Sequence, residues 1–185
     1  MFAQLKPITE VNNEYDIDLI KVTYGAYVEI KKHHPLYESV LTKFDYPIDK
    51  ILDKTQNKII IFRVDNFNVV DALLSKLKEV DYNGYIFVAS DDVDVLEYIK
   101  NRTKGEIRTL VELDIISHNP CFYERLLKEY RIDGIIFELD TFNKLPDEVL
   151  TLSEKFFILV KGYTLNSELH INNLSSIDFI IVNNG

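Results

Sequence analysis

The sequence predicts an α/β protein built on a parallel sheet, and three features of the chain carry that prediction. A short β-branched or aromatic run followed by a helical period recurs six times from Lys58 onward. The runs are nearly continuous apolar stretches, as expected of strands buried on both faces. The segments between them open on residues that cap helices.

The runs begin KIIIFRVD at Lys58, GYIFVAS at Gly84, IRTLVELD at Ile107, DGIIFELD at Asp133, FFILVKGY at Phe156 and IDFIIVNN at Ile177. Their starts lie 26, 23, 26, 23 and 21 residues apart, the spacing of consecutive strand–helix units. Between the first two runs, Val69, Val70, Leu73, Leu74, Leu77 and Val80 form one apolar stripe, with Asn68 expected as its N-cap. Asp91 and Asp92 precede VDVLEYIK and suit the positive end of a helix. Asn119-Pro120 is a cap followed by proline at the first helical position, and Pro146-Asp147-Glu148 opens EVLTLSEK in the same way.

Residues 1–57 are atypical. Asp16 to Val22 and Ala26 to Lys31 read as two strands joined at Tyr24-Gly25, which predicts a hairpin, and IDKILDK reads as a short helix. Phe2–Ile8 is a poor candidate for a further strand. No linker or charge block divides the chain, so residues 1–185 are expected to form one domain, with six regular βα units over 58–185. About seven strands result. A complete (βα)8 barrel normally needs ~250 residues, so the architecture is a short or incomplete barrel, or an open sheet.

Composition excludes several classes. The chain has 21 Lys and Arg against 30 Asp and Glu, a formal charge of −9, which disfavours nucleic acid and anionic lipid surfaces as partners. The single Cys121 rules out a disulfide framework and a cysteine-based zinc site. No signal-peptide pattern and no membrane-length apolar run is visible, so a soluble protein of the cytoplasm is expected. There is no GxGxxG, P-loop, GxSxG or HExxH.

In barrel and open sheet alike, ligands bind at the carboxyl ends of the strands. Those ends carry Arg63 and Asp65, Ser90 and Asp91, Glu112 and Asp114, Glu138 and Asp140, Lys161 with Tyr163 and Thr164, and Asn183 with Asn184. Oxygen ligands gathered there could hold a divalent cation, although Asp and Asn after a strand also serve as ordinary turn and cap residues. The adjacent His33 and His34, beside Lys31 and Lys32, offer imidazoles suited to acid–base work near neutrality, or simply a polar loop.

From about Glu14 to Gly185 the chain resembles the glycerophosphodiester phosphodiesterase family. The resemblance rests on Gly162-Tyr163-Thr164-Leu165-Asn166 and on Ser176-Ile177-Asp178-Phe179-Ile180-Ile181-Val182-Asn183 near the end. It also rests on LPDEVLTLSEKFFILVKGY, on FVASDDVDVLEYIKNRTKGEIRTLVEL, and on Asp16-Ile17-Asp18-Leu19 with Thr23-Tyr24-Gly25 and Val28 onward. It implies a TIM-barrel-like (βα) fold of seven to eight strands and a metal-dependent phosphodiesterase site. In that family, acidic residues hold one divalent cation and two histidines act as acid and base on a glycerol phosphodiester.

The family's acidic pair corresponds to Asp16 and Asp18, or in a shifted register to Glu14 and Asp16. If the remaining ligands have been relocated, Asp65 joins Asp16 and Asp18 on Ca²⁺ or Mg²⁺, His33 or His34 acts as base, and Arg63, Lys161, Tyr163, Thr164 and Asn166 face a small phosphodiester substrate. The family's H-R-G motif is missing, its second histidine falls at Lys31 or Lys32, and no acid lies within IIIFR. The expectation is therefore a degenerate, non-catalytic barrel that binds or scaffolds. Its absent first strand would leave an open N-terminal edge for a protein partner or a second copy. An active phosphodiesterase with relocated ligands and an unrelated α/β regulatory domain are the alternatives.

Overall fold

The computed structural model describes residues 6–31, 40–117, 119–164 and 170–184. Eight parallel strands close a barrel in chain order: β1 (Pro7–Val11), β2 (Gly25–Glu29), β3 (Ile59–Arg63), β4 (Tyr85–Ser90), β5 (Arg108–Leu113), β6 (Gly134–Glu138), β7 (Phe157–Thr164) and β8 (Phe179–Asn183). β1 closes the ring, with Thr9 opposite Ala26 of β2 on one side and Val182 of β8 on the other. The helices are α1 (Asp49–Lys54), α2 (Phe67–Glu79), α3 (Val93–Thr103), α4 (Pro120–Glu129), α5 (Leu139–Phe142) and α6 (Asp147–Leu150). All six strands expected from Lys58 onward form.

The continuous apolar runs resolve into two cores because successive strand residues point to opposite faces. Ile8, Tyr27, Ile61, Phe87, Leu110, Ile136, Leu159 and Ile181 contribute one inward side chain from each strand to a cluster that fills the barrel interior. Their neighbours, such as Ile60, Phe62, Val88, Ile135 and Val160, pack outward against the helices in two further clusters. Each fully buried aliphatic side chain stabilises the fold by roughly 1.5–3 kcal/mol.

Three expectations for the N-terminal third are corrected. No hairpin forms. Asp16–Val22 lies within a 3₁₀ helix, Glu14–Val22, which Asn13 caps by accepting hydrogen bonds from the Tyr15 and Asp16 amides. Ile17 and Ile20, three residues apart, supply its buried face, and their packing in the outer core favours the three-residue period over the apparent alternation. Gly25–Glu29 then pairs in parallel with both β1 and β3.

The barrel is neither incomplete nor open-edged. Its first strand is Pro7–Val11, which overlaps the poor candidate Phe2–Ile8 by two residues, and closure removes the edge on which a partner was expected. The chain closes eight strands in so few residues because several crossovers are compressed. The first uses a nine-residue 3₁₀ helix and the last passes through Leu174–Ser176. A 3₁₀ helix rises about 2.0 Å per residue, so nine residues span a five-residue strand.

The cap of α2 is Asn66, not Asn68: Asn66 accepts from the Val69 amide and the helix begins at Phe67. Asn119 caps α4 with Pro120 at its first position, and Asp92 caps α3, both as expected. Among the described residues no helix is long and apolar enough to cross a membrane.

Candidate functional site

The parity of the strands builds the site. Two residues beyond the inward apolar layer, the inward positions at the carboxyl end turn polar: Glu10 on β1, Arg63 on β3, Glu112 on β5, Glu138 on β6, Lys161 on β7 and Asn183 on β8. Tyr27 of β2 reaches up into this layer.

These side chains form one network. The Tyr27 hydroxyl donates to Glu112 Oε1, while Arg63 Nε lies 3.4 Å and Lys161 Nζ 3.9 Å from Glu112 Oε2. Lys161 Nζ also lies 3.3 Å from the Tyr27 hydroxyl, 4.7 Å from the centre of the Tyr27 ring and 4.0 Å from Glu10 Oε1. The side-chain amides of Asn183 and Asn12 bond Glu10. Arg63 pairs outward with Asp65 at 3.1 Å and Asp91 at 3.6 Å. The side chains of Glu10, Arg63 and Glu112 are only 13%, 14% and 16% exposed, so these pairs are poorly screened.

Burial sets the protonation behaviour. It pushes the Glu10 carboxyl above the usual range, against the opposing pull of Lys161. It also pushes the Tyr27 phenol far up, and the facing Glu112 carboxylate adds to the effect, so Tyr27 is a neutral donor across the working range of pH. Burial disfavours the charge on Arg63, but Glu112, Asp65 and Asp91 outweigh it and hold the guanidinium protonated.

A backbone irregularity aims β7. Gly162 has φ +94°, and a Cβ there would stand 2.9 Å from Glu138 Oε2. The register with β8 shifts between Val160 and Tyr163. Such a bulge redirects the following side chain: Lys161 stays in the mouth, and Tyr163 packs on the outer apolar cluster.

Of the residues singled out in the sequence, Arg63, Lys161 and Asp65 meet at the mouth. Thr164 stands beside Asn183 in the β7–β8 register. Asp16 is buried on the 3₁₀ helix and accepts the Asn12 backbone N–H at 2.8 Å, and Asp18 lies exposed on the same helix. His33, His34 and Asn166 lie outside the described residues. Sequence reasoning passed over Glu10 and Tyr27, and it placed Glu112 and Glu138 among the strand-end residues of a possible site without counting them as cation or substrate ligands. The signal was available: in β1, β3, β5, β6 and β7 a charged residue follows the central inward apolar residue by two.

The divalent cation implied by the resemblance does not fit these residues. Ca²⁺ takes six to eight oxygen ligands, and Mg²⁺ a near-octahedral set. Here both oxygens of Glu112 are engaged by Tyr27 and two cations, Glu10 is held by Lys161 and amides, and Asp65 and Asp91 face Arg63. An incoming dication would meet a guanidinium and an ammonium already in place. Among the described residues, no three His, Cys, Asp or Glu side chains are grouped to hold a metal.

No protein-family model matches the chain, and no curated protein matches it by sequence. Solved structures do match in fold. A protein described as a glycerophosphoryl diester phosphodiesterase from Silicibacter pomeroyi DSS-3 superposes with a TM-score of 0.70 at 8% identity, over 96% of this chain and 89% of that one. Glycerophosphodiester phosphodiesterase from Agrobacterium tumefaciens str. C58 gives 0.67 at 9% identity, over 97% and 96%. N-(5'-phosphoribosyl)anthranilate isomerase from Pyrococcus furiosus gives 0.56 at 13% identity, over 98% and 89%. The chain thus has a TIM-type barrel fold similar to that of the phosphodiesterases. The isomerase, a different catalyst on a similar barrel, shows why the fold alone fixes no reaction.

Proposed function

We propose that this protein is a glycerophosphodiester phosphodiesterase-like barrel without metal-dependent hydrolysis, kept as a binding or scaffold protein. One observation carries the reading: Arg63 and Lys161 stand inside the ring of carboxylates and pair with the residues a cation would need. Phosphodiester hydrolysis also needs a base in reach of water and stabilisation of the developing phosphorane charge. Tyr27 is held protonated, and Arg63 and Lys161 are each paired with carboxylates, which supports a reading in which none of the three serves these roles. Residence in the cytoplasm belongs to the same reading and is supported by the exposed, unpaired Cys121.

The test is hydrolysis of glycerophosphocholine and bis-p-nitrophenyl phosphate with Ca²⁺, Mg²⁺ or EDTA, alongside Asp16→Asn/Asp18→Asn. The expected result is no turnover in any condition and no rise in Tm with millimolar metal, since a bound cation stabilises by mass action. EDTA-sensitive turnover lost in the double variant would overturn the reading in favour of a hydrolase with relocated ligands.

A further inference from the structure

The amino-terminal end of the barrel, opposite the mouth, carries a second constellation. Phe87, Phe157 and Phe179, with Tyr24 and Ile59, line an apolar bowl of about 270 Å³. A groove of about 720 Å³ runs from it between the ends of α2 and α3, and the two cavities share Tyr85, Phe87 and Arg108. The groove lies within the scale of small-molecule sites and the bowl just below it, and such sites combine apolar walls with a few placed polar groups.

The charge here runs against that of the molecule. Four cationic and two acidic side chains line the groove of a chain whose net charge is −9. Arg102 is answered by Asp71 at 3.5 Å, but no carboxylate among the described residues pairs with Lys78, Lys104 or Arg108. Lys78 and Lys104 sit at helix carboxyl ends, where cations answer the helix dipole whatever their function. Arg108 has no such explanation, because it opens a strand. Its guanidinium lies 5.9 Å from the Phe87 ring centre and 5.2 Å from that of Phe157, and the two rings meet edge to face at 5.4 Å. Stacking of this kind pre-organises a guanidinium and limits the entropy lost when it binds an anion. Tyr85, at the junction of bowl and groove, is 64% exposed.

We propose that this end of the barrel binds a small organic anion with a flat apolar body. The body lies on the aromatic bowl, and the anionic head meets Arg108, with Lys78 and Lys104 along the groove. The site shares no residue with the mouth, so it stands or falls independently of the proposed loss of hydrolysis.

The probe is 8-anilino-1-naphthalenesulfonate, an aryl sulfonate, followed by fluorescence titration at neutral pH. The expected result is saturable one-to-one binding that 1-naphthyl phosphate displaces and the neutral 1-naphthalenemethanol does not. Arg108→Gln should weaken binding about tenfold, the scale of one charge-assisted hydrogen bond, and Tyr85→Ala should weaken it as well. Phe122→Ser, at an exposed aromatic of α4 that lines neither cavity, should leave it unchanged. Near-UV circular dichroism checks that each variant keeps its tertiary packing, since loosened proteins bind this dye nonspecifically. If Arg108→Gln loses that packing, Lys78→Gln/Lys104→Gln carries the test, with weaker binding expected. Unsaturable binding, equal displacement by the neutral compound, loss of binding in Phe122→Ser, or undiminished affinity in the folded cationic variant would overturn the proposal.

Discussion

Glu10 shows at the scale of one residue how the mouth exchanges stability for a polar interior. Burial raises its carboxyl above the usual range, with Lys161 and two amides opposing. The folded chain therefore keeps this proton to a higher pH than the unfolded chain. Stability is lost as pH rises from the unfolded value through the raised folded one. Glu10→Gln carries no such cost, so its stability relative to the native chain should be greater at pH 7 than at pH 4. Urea denaturation at both values checks this, and an equal effect at both would contradict it. Arg63 is the converse case, because removing it takes from the part-buried Glu112 the nearer of its two cations and leaves only Lys161 at 3.9 Å. Arg63→Met should cost about 2–4 kcal/mol, and Arg63→Met/Glu112→Leu should recover most of that loss. A denaturant cycle over the two singles and the double reads the coupling.

At the scale of elements, closure depends on how tightly adjacent strands approach and how sharply each crossover starts. A Cβ on Gly25 would lie 1.8 Å from the Ile59 carbonyl oxygen, inside the β2–β3 pairing. No rotamer relieves a clash with backbone, so Gly25→Ala should lose about 3 kcal/mol or more by urea denaturation. Asn13 matters more gently. It satisfies two amides at the start of the 3₁₀ helix that returns the chain from β1 to β2. Asn13→Ala should cost about 1 kcal/mol in the same measurement, with no change in far-UV circular dichroism.

For the whole molecule, the closed ring is the property on which the rest depends. Every strand is hydrogen-bonded on both sides, and β1 is the link between β2 and β8. Removing residues 1–12 would uncover two sheet edges and take Ile8 and Glu10 from the interior. Such a chain should self-associate on size-exclusion chromatography, while the full chain should not do so through an edge. The chain should also lose far- and near-UV signals in one coincident thermal transition, since β1 and β2 close the same ring as β3 and β8.

The sequence by itself determined the six βα units from Lys58, because their signals are local: apolar runs of strand length, asparagine and aspartate caps, and a proline at a first helical turn. It also marked Arg63 and Lys161 as strand-end residues. What lay between Asn13 and Tyr24 was ambiguous locally, since EYDIDLIKV supports alternation and a three-residue period equally. Only packing of Ile17 and Ile20 against the barrel chose the 3₁₀ helix. Pro7–Val11 looked weak as a strand because its stabilisation is non-local, arising from pairing with β2 and β8 at opposite ends of the chain. The mouth network was hidden for the same reason. Glu10, Tyr27, Glu112 and Lys161 come from strands far apart in sequence, and closure of the barrel brings the Lys161 ammonium within 4.0 Å of the other three. The chemistry of each residue was legible in the sequence, but the pairing that decides what those residues can still bind exists only in the folded ring.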